Sequence, residues 1–326
     1  MFAATRAADL AADSAVTADP CVPDRYHLAL TTSWDYLLPS GGYVMTAALR
    51  AAEAALADPN LRLASATTVF ATPMNPGPAV ADVHVIRRGK GAAQVRVALR
   101  NTAPDAGSGP SPDRPPLPDG AAGTPPGGLE LIATFVRDRH GPDVRAAAPP
   151  RVRALADSPD ALDGAPRNPH SRFRFYAQLE CRIADGPRFW SDPDGPAVDG
   201  DPFVAGPARY ARWFRYRAPQ RDAAGRLDRL ALPPLVDTMP TALHRAIGPG
   251  SYRFYAPSLD LTLYCVDDTQ REWLLVAVAL KRARAGWAIA DAEVWDDEGR
   301  FLAHGSQAMY LHTLAGEPPV IDATGR

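Results

Sequence analysis

The chain has 326 residues, a formal net charge of −2 and an apolar fraction of 46 %. This length allows two domains that each bury a core, and the near-neutral charge argues against electrostatic binding to nucleic acid. Because no apolar run approaches the roughly 20 residues of a membrane-spanning helix, the composition predicts a globular protein without a membrane or nucleic-acid partner.

Cysteine spacing and the N-terminal residues give the first indications of compartment. Three cysteines lie far apart, without the paired spacing of a zinc site or a disulfide framework: Cys21, Cys181 and Cys265. Cys265 falls in an apolar run and is predicted to be a buried, inert thiol. Arg6, Asp9 and Asp13 would interrupt the apolar segment of a secretory signal. These features favour a cytoplasmic protein.

The first half of the chain contains one helical pattern followed by four strand-like runs. Residues 1–24 lack periodicity and are predicted to form a mobile leader. A stripe of small apolar residues then predicts a buried helix over Tyr43–Leu56. The strand-like runs are LRLASATTVFATPM, AVADVHVIRRGKG, AAQVRVALRN and LELIATFVRD. A proline- and glycine-rich segment, 101–128, separates the last two runs and is predicted to be a disordered insertion within a unit spanning 25–140.

The second half repeats this order after a polar, proline-rich linker at 141–170. Within a unit spanning 171–312, a helix is predicted to begin at Asp237, because Asp is a favoured N-cap and Pro240 is tolerated in a first turn. Gly248 is predicted to stop that helix. The strand-like runs that follow are SYRFYAPSLDLTLYCV, EWLLVAVALKRARAGW, AIADAEVWDDEGR and FLAHGSQAMYL. Residues 313–326 are predicted to be a tail.

Two copies of one helix-plus-strands pattern predict an α+β fold built by tandem duplication. In each copy an antiparallel sheet would wrap around its helix. Short motifs follow one another in a fixed order along the chain. In the first half they are Gly41-Gly42-Tyr43, Phe70 before Thr72-Pro73, and Arg88-Gly89-Lys90; in the second they are Glu180 and Arg182, Trp213 and Arg215, Asp237, SLD and SQ. Over about residues 25–312 this order resembles the double hotdog of acyl-CoA thioesterase II and its thioesterase-like relatives. The resemblance implies two helix-wrapped repeats that form one continuous sheet.

The resemblance also implies an active site in the second half. By position, its members are Asp237, Ser258 and Gln307, which together would position a water to attack a thioester carbonyl. Ser258 stands where Thr is frequent in the family, a change that keeps the hydroxyl. The first half carries Ser65 at the position matched to Ser258, but it has glycines in place of the Asp and no Gln in its last strand. One site per chain is therefore expected.

Thioester hydrolysis also needs donors for the developing oxyanion. First-turn backbone N–H groups lack intrahelical partners and could serve. The sequence offers two such turns, Gly41-Gly42 with the adjoining Tyr43, and Thr238–Met239, and does not choose between them. For the phosphates of coenzyme A, the basic hairpin residues Arg87, Arg88 and Lys90 are candidates. A second basic hairpin end holds Lys281, Arg282 and Arg284, and solvated turn charges are the alternative for both.

The sequence thus predicts an acyl-CoA thioesterase of fatty-acid metabolism that uses no metal or redox cofactor. Assembly into a homo-oligomer through the sheets is compatible with this plan. A hotdog dehydratase, hydratase or acyl-transfer enzyme is a second hypothesis, which would need His244 beside Asp237, although His244 follows seven positions later, two turns along the helix. A third is a protein that binds acyl-CoA without turnover.

Overall fold

The computed structural model describes residues 7–102, 128–161, 173–186, 205–248 and 252–321. The predicted insertion at 101–128 therefore lies, apart from its ends, outside the described residues, as do parts of the predicted linker and tail. Within these ranges no helix is long and apolar enough to cross a membrane.

The described ranges contain α-helices and strands with the following bounds. The helices are α1 (Leu10–Asp13), α2 (Gly41–Leu56), α3 (Arg174–Ala177), α4 (Leu232–Val236) and α5 (Pro240–Ile247). The strands of the first half are β1 (Thr17–Ala18), β2 (Arg25–Leu30), β3 (Arg62–Thr72), β4 (Gly77–Arg88), β5 (Ala92–Asn101) and β6 (Gly128–Val136). Those of the second half are β7 (Leu179–Asp185), β8 (Arg209–Tyr216), β9 (Arg253–Tyr255), β10 (Asp260–Cys265), β11 (Leu274–Arg284), β12 (Trp287–Asp296), β13 (Phe301–Tyr310) and β14 (His312–Ala315).

Twelve of these strands form one antiparallel sheet with the order β1-β2-β4-β5-β6-β3-β10-β13-β12-β11-β8-β7. The two halves of that order mirror each other about the β3–β10 pair. Helix α2 packs against β4, β5 and β6 of the first half, and α5 packs against β8 and β11 of the second. The predicted tandem repeat and the continuous sheet are confirmed.

A pseudo-twofold relation between the halves can be read from the register at this seam. Thr67 lies opposite Thr262 at the centre of the β3–β10 pairing, with their hydroxyl oxygens 3.1 Å apart. The same offset of 195 residues relates Gly42 to Asp237. It also relates Leu63 to Ser258, and these two occupy equivalent positions beside Phe135 and Met309.

Helix α2 is buried along nearly its whole length, as its small side chains predict. The close packing of its first turn against α4 depends on Gly42, because a Cβ there would lie 2.5 Å from Pro234 Cα and 2.6 Å from the Pro233 carbonyl carbon. The Thr46 hydroxyl, one turn later, donates to the Leu230 carbonyl at 2.8 Å. A side chain at Gly42 would therefore push the two helices apart.

The second helix differs from its prediction. It is broken into α4 and α5, and Asp237 is the C-terminal cap of α4 instead of the N-cap of α5. Pro240 explains the break, because it has no N–H to donate to the Val236 carbonyl and its ring crowds that position. Gly248 caps the end of α5, as predicted.

The chain ends are more ordered than the sequence predicted. Residues 7–24 are not a mobile leader, because Leu10 is fully buried and Asp13 accepts a hydrogen bond from Trp34 Nε1 at 2.8 Å. The Asp13 carbonyl also accepts from the Tyr43 hydroxyl at 2.7 Å. At the other end, β14 pairs with β9, so residues 313–315 belong to the fold. One buried leucine is too short a signal to show as periodicity.

Ion pairs hold the two halves together at the seam. Arg62 of β3 bonds to Asp268, which follows β10. Arg229 donates to the same carboxylate at 2.8 Å and to the Leu63 carbonyl at 2.7 Å. The halves are therefore joined by charge-assisted bonds as well as by strand pairing.

Candidate active site

Asp237 lies in the break between α4 and α5 and is only 6 % exposed. Its Oδ2 accepts the Gly42 N–H at 2.8 Å, and the Gly41 N–H also contributes. Gly42 is the second residue of α2, the long helix of the first half, and the first turn of α2 holds no acidic residue. The carboxylate thus caps α2 across the repeat, where free N–H groups and the helix dipole favour negative charge.

Ser258 and Gln307 complete a hydrogen-bonded cluster with Asp237. The Ser258 hydroxyl donates to Asp237 Oδ1 at 2.9 Å. Gln307 Nε2 donates to the same oxygen at 2.6 Å and to Ser258 Oγ at 2.6 Å. Ser258 is placed just ahead of β10, and Gln307 lies on the inner side of β13, where it is 2 % exposed. The structure brings the three predicted residues together.

The second polar atom of Gln307 is left without a partner. Its Oε1 is buried and has no hydrogen-bond donor within the described ranges. The carboxylate of Asp237 can only accept hydrogen bonds when ionised, so the Gln307 NH₂ group must face it and Oε1 must face away. A buried amide oxygen without a donor is costly. Gln307 Oε1 is therefore an acceptor that a bound water or ligand can use.

Burial sets the basicity of Asp237. Loss of solvent raises the pKa of its carboxyl above the ordinary value of 3.8, against the hydrogen bonds from Gly42, Ser258 and Gln307, which lower it. A carboxylate with a raised pKa holds a proton more strongly and is a better general base.

The pH dependence of turnover should report this shift. Below the pKa of Asp237 the carboxyl is protonated and cannot accept a proton from water. We therefore expect kcat/KM to fall on acidification through a midpoint above that of a free Asp, about 3.9. Initial rates between pH 4 and pH 8 test this, corrected for substrate stability and checked for folding by circular dichroism. A rate that stays constant down to pH 4 would contradict it.

Tyr43 and Thr238, which belong to the two turns whose N–H groups were predicted as oxyanion donors, use their side-chain hydroxyls within the fold. The fully buried Tyr43 places its hydroxyl between the Asp13 carbonyl and the Thr31 N–H, on the side of the leader. The Thr238 hydroxyl donates to the Leu235 carbonyl at 2.8 Å and so caps α4. The Gly42 N–H, predicted as an oxyanion donor, is occupied by the Asp237 carboxylate.

The predicted phosphate-binding residues Arg87, Arg88 and Lys90 lie far from Asp237. The Arg88 guanidinium donates to the carbonyl of Leu56, the last residue of α2, whereas Asp237 bonds to its second residue. At 1.5 Å per residue the two ends are roughly 20 Å apart. The sequence could not show which basic hairpin lies closer to Asp237, because both halves carry one.

The basic hairpin of the second half lies on the Asp237 side. Ser258 bridges to Met309, and the next residue, Tyr310, donates its N–H to the Pro257 carbonyl at 3.0 Å. The Leu311 N–H then donates to Gly286 in the β11–β12 turn at 2.7 Å. The hairpin that carries Arg282 and Arg284 is thus only a few residues along the sheet from the cluster.

Aromatic side chains that were not predicted as site residues lie beside the carboxylate. A Cβ on Gly41 would lie 3.0 Å from Phe70 Cζ and 3.1 Å from Asp237 Oδ2, so the Phe70 ring and the carboxylate share this corner. Burial, the Tyr176 hydroxyl and the Asp237 charge all raise the pKa of Tyr36, whose ring stacks on Phe175 at 4.6 Å. These contacts join residues that are distant in the sequence, so no local sequence pattern could have predicted them.

The described neighbours of Asp237 differ from those that the dehydratase or hydratase hypothesis requires. His244 stacks on Phe254 with ring centroids 4.4 Å apart, and the described partners of Asp237 include no histidine. In the part of the chain that the structure describes, no group of three His, Cys, Asp or Glu side chains could hold a metal ion. Burial raises the pKa of the Cys265 thiol to about 12, which confirms the predicted buried cysteine.

The first half does not carry the equivalent cluster. Thr67 faces Ile132 on β6, and its counterpart Thr262 faces Ser306 on β13, so Ala133 corresponds to Gln307. Gly42 and Leu63 stand in place of Asp237 and Ser258 by the same relation. Ser65, matched to Ser258 from sequence, instead pairs with Tyr264, because register and not motif order decides equivalence.

Comparison with known proteins bears on both the fold and the family. A family model described as the acyl-CoA thioesterase N-terminal domain matches residues 30–108, and one described as the acyl-CoA thioesterase C-terminal domain matches residues 155–311. Together they cover most of the chain. A search of curated proteins finds no match.

Solved structures share the fold at low identity. A conserved protein of unknown function with a hot dog fold from Alicyclobacillus acidocaldarius is 19 % identical with a TM-score of 0.68, over 95 % of this chain and 98 % of that one. The acyl-CoA thioesterase II TesB2 from Mycobacterium marinum is 17 % identical with a TM-score of 0.63, over 95 % and 100 %. A tesB protein of Mycobacterium avium subsp. paratuberculosis is 16 % identical with a TM-score of 0.63, over 95 % and 98 %. The chain, a double hotdog with both thioesterase domains in order, belongs to the acyl-CoA thioesterase family and is a thioester hydrolase.

Proposed function

We propose that this protein hydrolyses an acyl-CoA thioester to a free acid and coenzyme A, using a water activated by Asp237 and oriented by Ser258 and Gln307. The observation that carries this proposal is the buried Gln307 Oε1, which has no donor in the described structure and adjoins a buried carboxylate. Water supplies the missing O–H donor and the proton that a base of raised pKa accepts. Fatty-acid metabolism and a cytoplasmic location remain part of this proposal.

The hydrogen bonds define what each residue would do. The attacking water donates one hydrogen to Gln307 Oε1 and the other to Asp237 Oδ1. Gln307 Nε2 can release Asp237 to make room for this water, because it also bonds to Ser258 at 2.6 Å. As the water oxygen bonds to the thioester carbon, its proton passes to Asp237. When the C–S bond breaks, that proton passes to the departing thiolate.

The α2 terminus would position the base. Gly42 holds Asp237 Oδ2 at 2.8 Å, so only Oδ1 is turned toward Ser258 and Gln307. This arrangement fixes the orientation of the carboxylate before substrate arrives, which lowers the cost of reaching the transition state. The Phe70 and Tyr36 rings would supply apolar surface beside the acyl group.

For the carrier, we propose that Arg282 and Arg284 meet the phosphates of coenzyme A. Both are exposed on the hairpin nearest to the cluster, and neither has a carboxylate within 4 Å among the described residues. Their neighbour Lys281 is instead paired with Asp291 at 2.9 Å. This assignment replaces Arg87, Arg88 and Lys90, which lie at the other end of α2.

A thiol-release assay tests the proposed reaction. We expect the wild-type protein to release thiol from at least one member of an acyl-CoA panel of varied chain length and aryl content. Gln307→Ala should lower kcat by about 10²-fold, since one orienting group of the water is lost. Ser258→Ala should also be slower, whereas Ser65→Ala, a hydroxyl deletion on β3, should match the wild type. Tight acyl-CoA binding with no thiol release across the panel would show a binding protein and refute the proposal.

A further inference from the structure

A basic cleft lies in the first half, away from the cluster around Asp237. Its volume is about 510 Å³, and it is formed by the β4–β5 turn and the chain that follows β6. Four cationic side chains line it: Arg87, Lys90, Arg137 and Arg139. Gln94 and the backbone of Gly89–Ala92 complete the wall. We call this feature the first-half cleft.

The cleft carries more positive charge than its neighbours neutralise. Asp58 bonds to Arg137 and lies 3.9 Å from Arg88, so one carboxylate serves two guanidinium groups. No carboxylate among the described residues lies within 4 Å of the side-chain nitrogens of Arg87, Lys90 or Arg139. Elsewhere most arginines of the described ranges have such a partner. Like charges gathered around a concavity attract an anion.

The position of the cleft separates it from the chemistry. Arg88 marks the C-terminal end of α2, and Asp237 marks the other end, roughly 20 Å away along the helix. By the pseudo-twofold relation this hairpin is the counterpart of the one that carries Arg282 and Arg284. The catalytic positions beside it are occupied by Leu63 and Ala133, which cannot activate water. A ligand held here would keep its bonds intact.

We infer that the first-half cleft is a second, non-catalytic binding site for a polyphosphate anion. Guanidinium groups match phosphate geometry, and the exposed backbone at Gly89–Ala92 allows close approach. Two sources share this chemistry: the phosphate-bearing end of coenzyme A, and inorganic pyrophosphate. Only the first source depends on the proposed function. Because the duplication preserves a basic hairpin in both halves, the chain would bind two anions and hydrolyse at one site.

The experiment is calorimetric titration of the full chain with coenzyme A and, separately, with inorganic pyrophosphate. We expect two coenzyme A sites in the wild type and one in the variant Arg87→Ala/Lys90→Ala/Arg139→Ala. Binding at the lost site should weaken at least about tenfold, equivalent to one 1.4 kcal/mol step. Raising the salt concentration should weaken it further. Pyrophosphate binding that disappears in the same variant identifies the anion itself as the recognised group, whereas loss of only the coenzyme A signal identifies the nucleotide.

A charge-matched control removes three exposed arginines outside the cleft: Arg145, Arg151 and Arg217. This control should keep both sites. A cleft variant that binds coenzyme A with the same number of sites and the same affinities as the wild type would overturn the inference. The thiol-release assay is independent of this result, because a failed hydrolysis reaction leaves the number of coenzyme A sites measurable, and a single binding site leaves hydrolysis intact.

Discussion

Replacement of Asp237 by asparagine is expected to lower kcat for thioester hydrolysis by about 10³-fold, in the middle of the range for loss of a general base. Asparagine keeps the shape of the side chain but cannot accept the proton of water. The carboxylate is the only charged group in the cluster with Ser258 and Gln307, so neither neighbour can replace it. Thiol release under saturating acyl-CoA, with single-turnover kinetics to isolate the chemical step, measures the effect.

The Asp237→Asn variant should remain folded, because the pKa of the Asp237 carboxyl is raised in the folded state. Burial raises the pKa of Asp237 in the folded state, so folding favours the protonated form. Its contribution to stability is greatest below the unfolded pKa and declines as the pH rises through the folded pKa. At neutral pH the ionised group therefore destabilises the fold, and an uncharged side chain should not lower the Tm. Full activity in Asp237→Asn would refute its role as base, and a large drop in Tm would indicate a structural role instead.

Gly42→Ala is expected to destabilise the protein by about 3 kcal/mol, at the upper end of overpacking costs. The new Cβ would lie 2.5 Å from the backbone atom Pro234 Cα. Backbone atoms cannot relieve such a clash by changing rotamer, as a flexible side chain can. Separation of α2 from α4 would also withdraw the Gly42 N–H from Asp237, so turnover should fall in any folded fraction.

Urea unfolding followed by circular dichroism measures the free energy of unfolding for this variant. Gly141→Ala is the matched control, because a Cβ there meets nothing within 4 Å, and its stability should stay within about 0.5 kcal/mol of wild type. An unfolding midpoint for Gly42→Ala equal to that of the control would show that the helices can separate freely, contrary to the packing described.

Much of the architecture was predictable from local patterns. The small-residue stripe over Tyr43–Leu56 predicted the buried helix α2, and the alternating runs predicted the strands that follow the helical region in each half; the structure contains both. Periodicity is a local property, so it survives in the sequence wherever one face of an element meets the core. The asymmetry of the repeats was also visible, because Asp237 and Gln307 have no counterpart of the same type in the first half.

The details that decide chemistry depended on tertiary contacts. Asp237 was predicted to cap its own helix, yet it caps α2 from 195 residues away. The register at Thr67 and Thr262, and not the order of motifs, shows that Leu63 corresponds to Ser258. The sequence likewise did not show which of the two basic hairpins lies near the cluster.

The physical reason is the same in each case. Amino-acid types and their spacing determine which elements form and which faces are apolar, because these effects act within a few residues. Hydrogen bonds and charges act across space, so their partners are chosen only when the seam between β3 and β10 brings the two halves together. The duplication and its asymmetry were therefore readable in the chain, whereas the unpartnered Gln307 Oε1 beside a buried carboxylate exists only in the folded protein.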